Sequence, residues 1–151
     1  MRLHVEIDQS GKIEATHVSS VLAYSGDVTA SLLITAAEKR ICLSKLRQGR
    51  SKGGSWYLKV FAAALYLLLQ ERLRQFEQIV IDVEYPGHEA DILGMFLNCV
   101  RKEYPDFVKE RVVFRQVGKK SPAHEAAIAV YRGEREPDRW VRARDILRLI
   151  K

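Results

Sequence analysis

Three side chains stand where hard-ligand or proton-transfer chemistry would need them. Asp8 ends the alternating stretch Leu3-His4-Val5-Glu6-Ile7-Asp8, and a period of two puts Glu6 on the same face. Glu84 ends a second alternating stretch, 78–84, with Ile79, Ile81 and Val83 on one face and Asp82 beside Glu84 on the other. His124 falls in the first turn of an expected helix that follows the last expected strand. In α/β sheets, sites gather outside the carboxyl ends of the strands, so parallel neighbours would bring Asp8 and Glu84 together there. The two carboxylates offer the oxygen ligands that Mg²⁺ and Mn²⁺ prefer, and an imidazole both ligates metals and carries protons at neutral pH. Each residue also has a plainer use. Asp before a turn bonds its own backbone. Asp82 and Glu84 suit a solvated strand end beside Pro86, and His124 suits a helix surface. Glu125 reads as a first-turn acid favoured by the helix dipole, and His17 and His88 as surface residues.

Cations surround these positions in sequence. Lys39, Arg40, Lys45, Arg47, Arg50 and Lys52 follow Glu38 without an intervening acid, Lys119 and Lys120 precede His124, and Arg139, Arg142, Arg144 and Arg148 lie near the C-terminus. Lys plus Arg number 25 against 19 Asp plus Glu, a net charge of +6. Such segments suit a phosphate backbone, with Lys45, Arg47, Arg50, Lys52, Lys119 and Lys120 as the candidate nucleic-acid contacts; a solvated surface is the alternative. Trp56 and Tyr57, next to the basic loop 48–54, suit either base stacking or the edge of the core.

The elements that must position these groups follow from periodicity and punctuation. The chain has 151 residues, 47% apolar and 29% charged, the profile of a single globular domain spanning 1–151. Cys42 and Cys99 form neither a metal-ligand pattern nor a disulfide framework. Acids stand where a signal peptide would be apolar, and the most apolar run, 60–69, falls short of the roughly 20 residues that cross a bilayer, so the expected setting is the cytoplasm with no membrane contact. After the first strand, 18–23 and 29–35 read as antiparallel strands, with Ile41-Cys42-Leu43 as a further one. Ser55 opens an apolar helix to about residue 75, and a helix over 89–104 stops at Pro105. A strand spans 111–117. Ser121 caps a helix with Pro122 at its first position, and Pro137 opens a last helix on which Trp140, Val141, Ile146, Leu147 and Ile150 form the apolar face.

This order of elements, with the stretches Ile7-Asp8-Gln9-Ser10-Gly11, Ile79-Val80-Ile81-Asp82-Val83-Glu84 and Ser121-Pro122-Ala123-His124-Glu125-Ala126-Ala127-Ile128-Ala129, resembles the ribonuclease H-like superfamily over nearly the whole chain. The resemblance implies an α/β fold with a mixed five-stranded sheet, three antiparallel strands and then parallel ones, flanked by helices. It implies phosphodiester hydrolysis with Mg²⁺ or Mn²⁺, with Asp8, Glu84 and His124 as catalytic and metal-binding residues and Asp82 as a further metal ligand and the alternative fourth-strand acid. The chain departs from ribonucleases H in one place: the helix beginning Ser55-Trp56-Tyr57-Leu58-Lys59-Val60 has no acid before Glu71, and Lys59 sets a cation where the family carries a carboxylate. The expected function is a metal-dependent nuclease related to ribonuclease H and junction resolvases, with nucleic acid as partner. The alternative is a non-catalytic nucleic-acid-binding or protein-interaction domain of the same fold, and the apolar face around Trp140, Ile146 and Ile150 leaves a homo-oligomer open.

Overall fold

The computed structural model describes residues 2–48 and 55–150. Strands β1 (Leu3–Ser10), β2 (Ser20–Gly26) and β3 (Ala30–Ile34) form an antiparallel meander in which Asp8 lies opposite Ala23. Gly11 turns the chain out of β1 at a φ of +80°, where a Cβ would lie 2.1 Å from the Ser19 carbonyl oxygen. Only glycine fits both that dihedral and that approach.

Ile41-Cys42-Leu43, expected as a strand, is instead part of helix α1 (Ala36–Arg47). The Thr35 hydroxyl accepts a 3.2 Å hydrogen bond from the Glu38 amide and starts the helix. Cys42 is then buried while Ile41 is exposed, an arrangement set by the helical period. Lys39, one turn in, departs from its reading as part of a surface charge run. Its side chain is fully buried, and its Nζ donates to the carbonyls of Lys12 (3.0 Å) and Ala15 (2.7 Å) and to Ser20 Oγ (2.9 Å). Three acceptors satisfy all three ammonium protons, which is the condition for burying such a group. Burial lowers its pKa to about 8.

Helix α2 (Trp56–Leu69) is apolar nearly all round and almost wholly buried. It breaks into a 3₁₀ stretch, Gln70–Gln75, earlier than the sequence pattern implies, with Arg72 out of helical geometry as the chain bends toward β4 (Phe76–Ile81). Helix α3 (Glu89–Glu103), β5 (Val112–Phe114) and α4 (Pro122–Tyr131) follow, then β6 (Arg139–Trp140) and α5 (Ala143–Leu147).

The sheet has six strands in the order β5-β4-β1-β2-β3-β6, with β1–β4, β4–β5 and β3–β6 parallel. The sixth strand replaces the first part of the expected last helix. The Asp138 carboxylate accepts from the Ser31 amide (2.8 Å), and the Val141 amide donates to the Leu33 carbonyl (2.9 Å), holding residues 138–141 extended along β3. The apolar face expected on one helix is thereby divided: Val141 and Ile146 enter the core, and Trp140 stays 57% exposed on the sheet edge.

Two layers cover the sheet. On one face α1, α2 and α3 enclose Leu3, Val5, Ile7, Ile79 and Ile81 together with Phe61, Leu65 and Phe96. On the other, α4 alone packs on β1, β2 and β3, through Ala126, Ala127 and Val130 against Val21, Ala23 and Leu33. One helix is too narrow to cover that face, and a cleft runs beside its start over β1 and β4. Among the described residues, no helix is long and apolar enough to cross a membrane.

Candidate metal centre

Parallel pairing of β1 with β4 sets Ile7 beside Ile81, and the Asp82 amide continues the ladder with a 3.0 Å bond to the Ile7 carbonyl. Asp8 and Asp82 therefore leave the sheet side by side on the α4 face. Glu84 follows two residues later, where its amide bonds the Asp82 carbonyl at 3.0 Å. One carboxylate oxygen from each of Asp8, Asp82 and Glu84 lies within 4.8 Å of the others. The sequence offered both acids as metal ligands, with Glu84 the better-aligned one and Asp82 the alternative key acid; both face the same point.

His124 arrives from α4. The Ser121 hydroxyl accepts from the amides of Ala123 (3.0 Å) and His124 (3.3 Å), fixing the first turn, with Pro122 pre-set for the helix. His124 Nδ1 then meets Asp8 Oδ2 at 2.7 Å. The imidazole joins the centre through Asp8, outside the group of three converging carboxylates. Replacing Ser121 by Ala is expected to cost about 1 kcal/mol, the usual value of such a cap, read as a lower urea midpoint, and to broaden the His124 ring resonances.

Asp82 is held from the far side, its Oδ1 accepting from the Val117 amide at 2.7 Å. Glu84 Oε2 is buried and has no hydrogen-bond partner among the described residues. Burial foremost, and then the carboxylates of Asp82 and Asp8, push the Glu84 pKa up to about 9. Three converging acids, one with an orphaned buried oxygen, form a donor set that fits a hard divalent cation. In metal-free protein Glu84 holds its proton more tightly than in the unfolded chain, whose value is near 4.5. The resulting stability is complete below that value and drains away as pH rises toward about 9. The urea midpoint of metal-free protein is expected to fall across this window, and Glu84→Gln to flatten the fall.

Tyr85 supports the centre from beneath. Its hydroxyl accepts from Gln9 Nε2 (3.3 Å) and from the Ile13 amide (3.1 Å), and it bonds the Glu14 carboxylate beside it. Tyr57 and Phe61 of α2 pack on its ring at centroid distances of 5.3 and 5.1 Å. Tyr57 is committed to this stack and Trp56 is buried, so the base-stacking reading of the pair gives way to the core reading. Lys59 turns elsewhere, toward the groove between α2 and α3 lined by Asn98 and Lys102.

The cleft at the centre encloses about 280 Å³, with Lys119, Gln116 and Gln9 on its walls. Lys120 is exposed beside it. Lys45 and Arg47 are exposed on α1, in the layer on the opposite face of the sheet, and do not reach the centre. Arg50 and Lys52 lie outside the described residues. The sequence reading passed over Gln9, Gln116 and Lys12, whose Nζ donates to the Glu84 carbonyl at 3.4 Å. Only the adjacency of Gln9 to Asp8 could have pointed to any of them. Comparison with protein-family models, with curated proteins and with solved structures gives no match.

Proposed function

We propose that the chain is a metal-dependent nuclease of ribonuclease H-like fold. The observation that carries this reading is the convergence of Asp8, Asp82 and Glu84 where the parallel pairing of β1 with β4 ends, with a buried oxygen of Glu84 left unbonded among the described residues. The fold reading draws support from the antiparallel β1–β3 meander followed by parallel β4 and β5; β6 is an addition to the five strands that the resemblance implies. Asp8, Asp82 and Glu84 would hold Mg²⁺ or Mn²⁺, which when bound neutralises phosphate charge and lowers the pKa of water. His124, with Nδ1 committed to Asp8, keeps Nε2 for proton transfer at the cleft. Lys119 supplies a cation on the cleft wall that meets a phosphate as a point charge.

The test is a cleavage screen in Mg²⁺ and Mn²⁺ with single-stranded, branched and hybrid nucleic acids. Metal-dependent cleavage by the wild type and none by Asp8→Asn is the expected result, and cleavage at undiminished rate by Asp8→Asn overturns the assignment. One observation favours a second reading, a nucleic-acid-binding domain without turnover: α2 has no acid in its first turn. Salt-sensitive binding with no cleavage of any substrate would select it.

A further inference from the structure

Beside the acid centre, on the same face of the sheet, a second cavity of about 390 Å³ is lined by Glu6, Gln78, Val80, Ser25, Arg115 and Pro122. Four segments run from this cavity into the acid centre. Glu6 leads to Asp8 along β1, Val80 to Asp82 at the end of β4, Arg115 to Gln116 after β5, and Pro122 to His124 in α4. The two cavities are therefore consecutive stretches of one cleft. Two residues along a strand advance about 6.7 Å, close to the step between successive phosphates of an extended single strand.

The chemistry of the second stretch differs from that of the first. Glu6 is an acceptor only, and its carboxylate makes no hydrogen bond or ion pair among the described residues. Gln78 offers an amide that both donates and accepts. The exposed Arg115 guanidinium makes no hydrogen bond or ion pair among the described residues, and its main-chain amide bonds the Ile81 carbonyl (3.1 Å). Val80 provides an apolar patch between them. A guanidinium suits a phosphate, and a carboxylate beside an amide suits the amino groups of a base edge, cytosine N4 above all.

We infer that this stretch, with Glu6 and Gln78 at its floor and Arg115 at its rim, is a subsite for an unpaired nucleotide one step along the strand from the phosphate at the acid centre. The inference rests on the reading of the acid centre as a nucleic-acid site. An unpaired nucleotide is the ligand that fits, because its base edge is free to meet Glu6 and Gln78 on the sheet itself, between the start of α4 and the end of β2. The volume lies within the range of pockets that hold small ligands.

The test measures anisotropy of labelled oligo-dC, oligo-dT and a duplex with the full chain, with and without Mg²⁺, alongside cleavage. Expected for the wild type is tighter binding of oligo-dC than of oligo-dT or duplex. Arg115→Ala is expected to weaken oligo-dC binding about fivefold and to lower the salt slope by about one ion. Glu6→Gln is expected to bring the dC-over-dT preference, about fivefold, close to one while leaving oligo-dT binding unchanged. Gln78→Ala provides a second floor variant, and near-ultraviolet circular dichroism checks the fold of each. Binding that ignores Arg115, Glu6 and Gln78 overturns the subsite, whether or not the protein cleaves. Binding that depends on them without any cleavage upholds the subsite and overturns catalysis at the acid centre. No binding of any oligonucleotide overturns both.

Discussion

Replacing Asp8 by Asn is expected to lower affinity for Mn²⁺ by at least about 100-fold in a calorimetric titration, since loss of a mere outer-shell partner of a metal already costs 10–100-fold. Asp8 is the member of the centre that touches most of the others: it converges with Asp82 and Glu84 and bonds His124 at 2.7 Å. Asn is nearly isosteric, so the change removes charge and leaves packing in place. The fold should survive, because Asp8 lies on the α4 face, while the main core on the other face is built from Leu3, Val5 and Ile7. A second effect separates loss of a ligand from general damage. Asp8 is one of the charges that raise the Glu84 pKa, so in metal-free Asp8→Asn the decline in stability with rising pH should be shallower than in the wild type. Unchanged Mn²⁺ affinity in Asp8→Asn would remove Asp8 from the metal centre.

Lys39→Ala is expected to cost about 3 kcal/mol or more and to lower the melting temperature by roughly 6–12 °C at about 2–4 °C per kcal/mol. The charge itself is expensive to bury, as the lowered pKa shows, and it persists because three oxygens receive its protons. Without it, the Lys12 and Ala15 carbonyls and the Ser20 hydroxyl lose their donor, and each unsatisfied group costs about 1–3 kcal/mol. Lys39→Met keeps most of the aliphatic volume and so isolates the polar part of the loss. The segment 12–20 should loosen in both variants, read as faster amide exchange there. A melting point unchanged in Lys39→Met would mean that water replaces the ammonium at no cost.

The alternating stretch that carries Asp8 was legible, because a strand with one buried face records its period directly in the residues. The stretch 78–84 was legible only in part: β4 runs Phe76–Ile81, so Asp82 and Glu84 lie past its end, with Glu84 in a bend. The Ser121-Pro122 helix start was legible for a similar local reason, since cap and first-turn chemistry lie within four residues. The helix over Ala36–Arg47 also carried a local signal, Thr35 followed by Glu38 at the third position, which a reading of Ile41-Cys42-Leu43 as strand overlooked. In the folded chain Glu38 spends its carboxylate on the Ala143 amide (2.8 Å) rather than on the cap itself. The fate of Lys39 and of Trp140 was not legible. Nothing local distinguishes a lysine that meets two carbonyls of the loop after β1 and the hydroxyl at the start of β2 from its exposed neighbours, or a tryptophan on a two-residue edge strand from one on an amphipathic helix. Both are decided by partners distant in sequence, Ser20 and Leu33 respectively. The same holds for Asp82, whose neighbour Val117 is set by the pairing of β4 with β5.

The wide sequence separation within the acid centre has a kinetic consequence. Asp8 and His124 are 116 positions apart, and Asp82 and Glu84 reach Asp8 only when β4 pairs with β1 across the intervening helices. The β1–β3 meander closes through the local connections 11–19 and 27–29 and can form early, whereas β1–β4 and α4 close long loops, which are slow to form. A nascent chain therefore exposes Asp8 long before it possesses a site. A cation that binds only the finished assembly leaves the folding rate nearly unchanged and lengthens the lifetime of the native state, so its signature would be slower unfolding in chelator-free buffer.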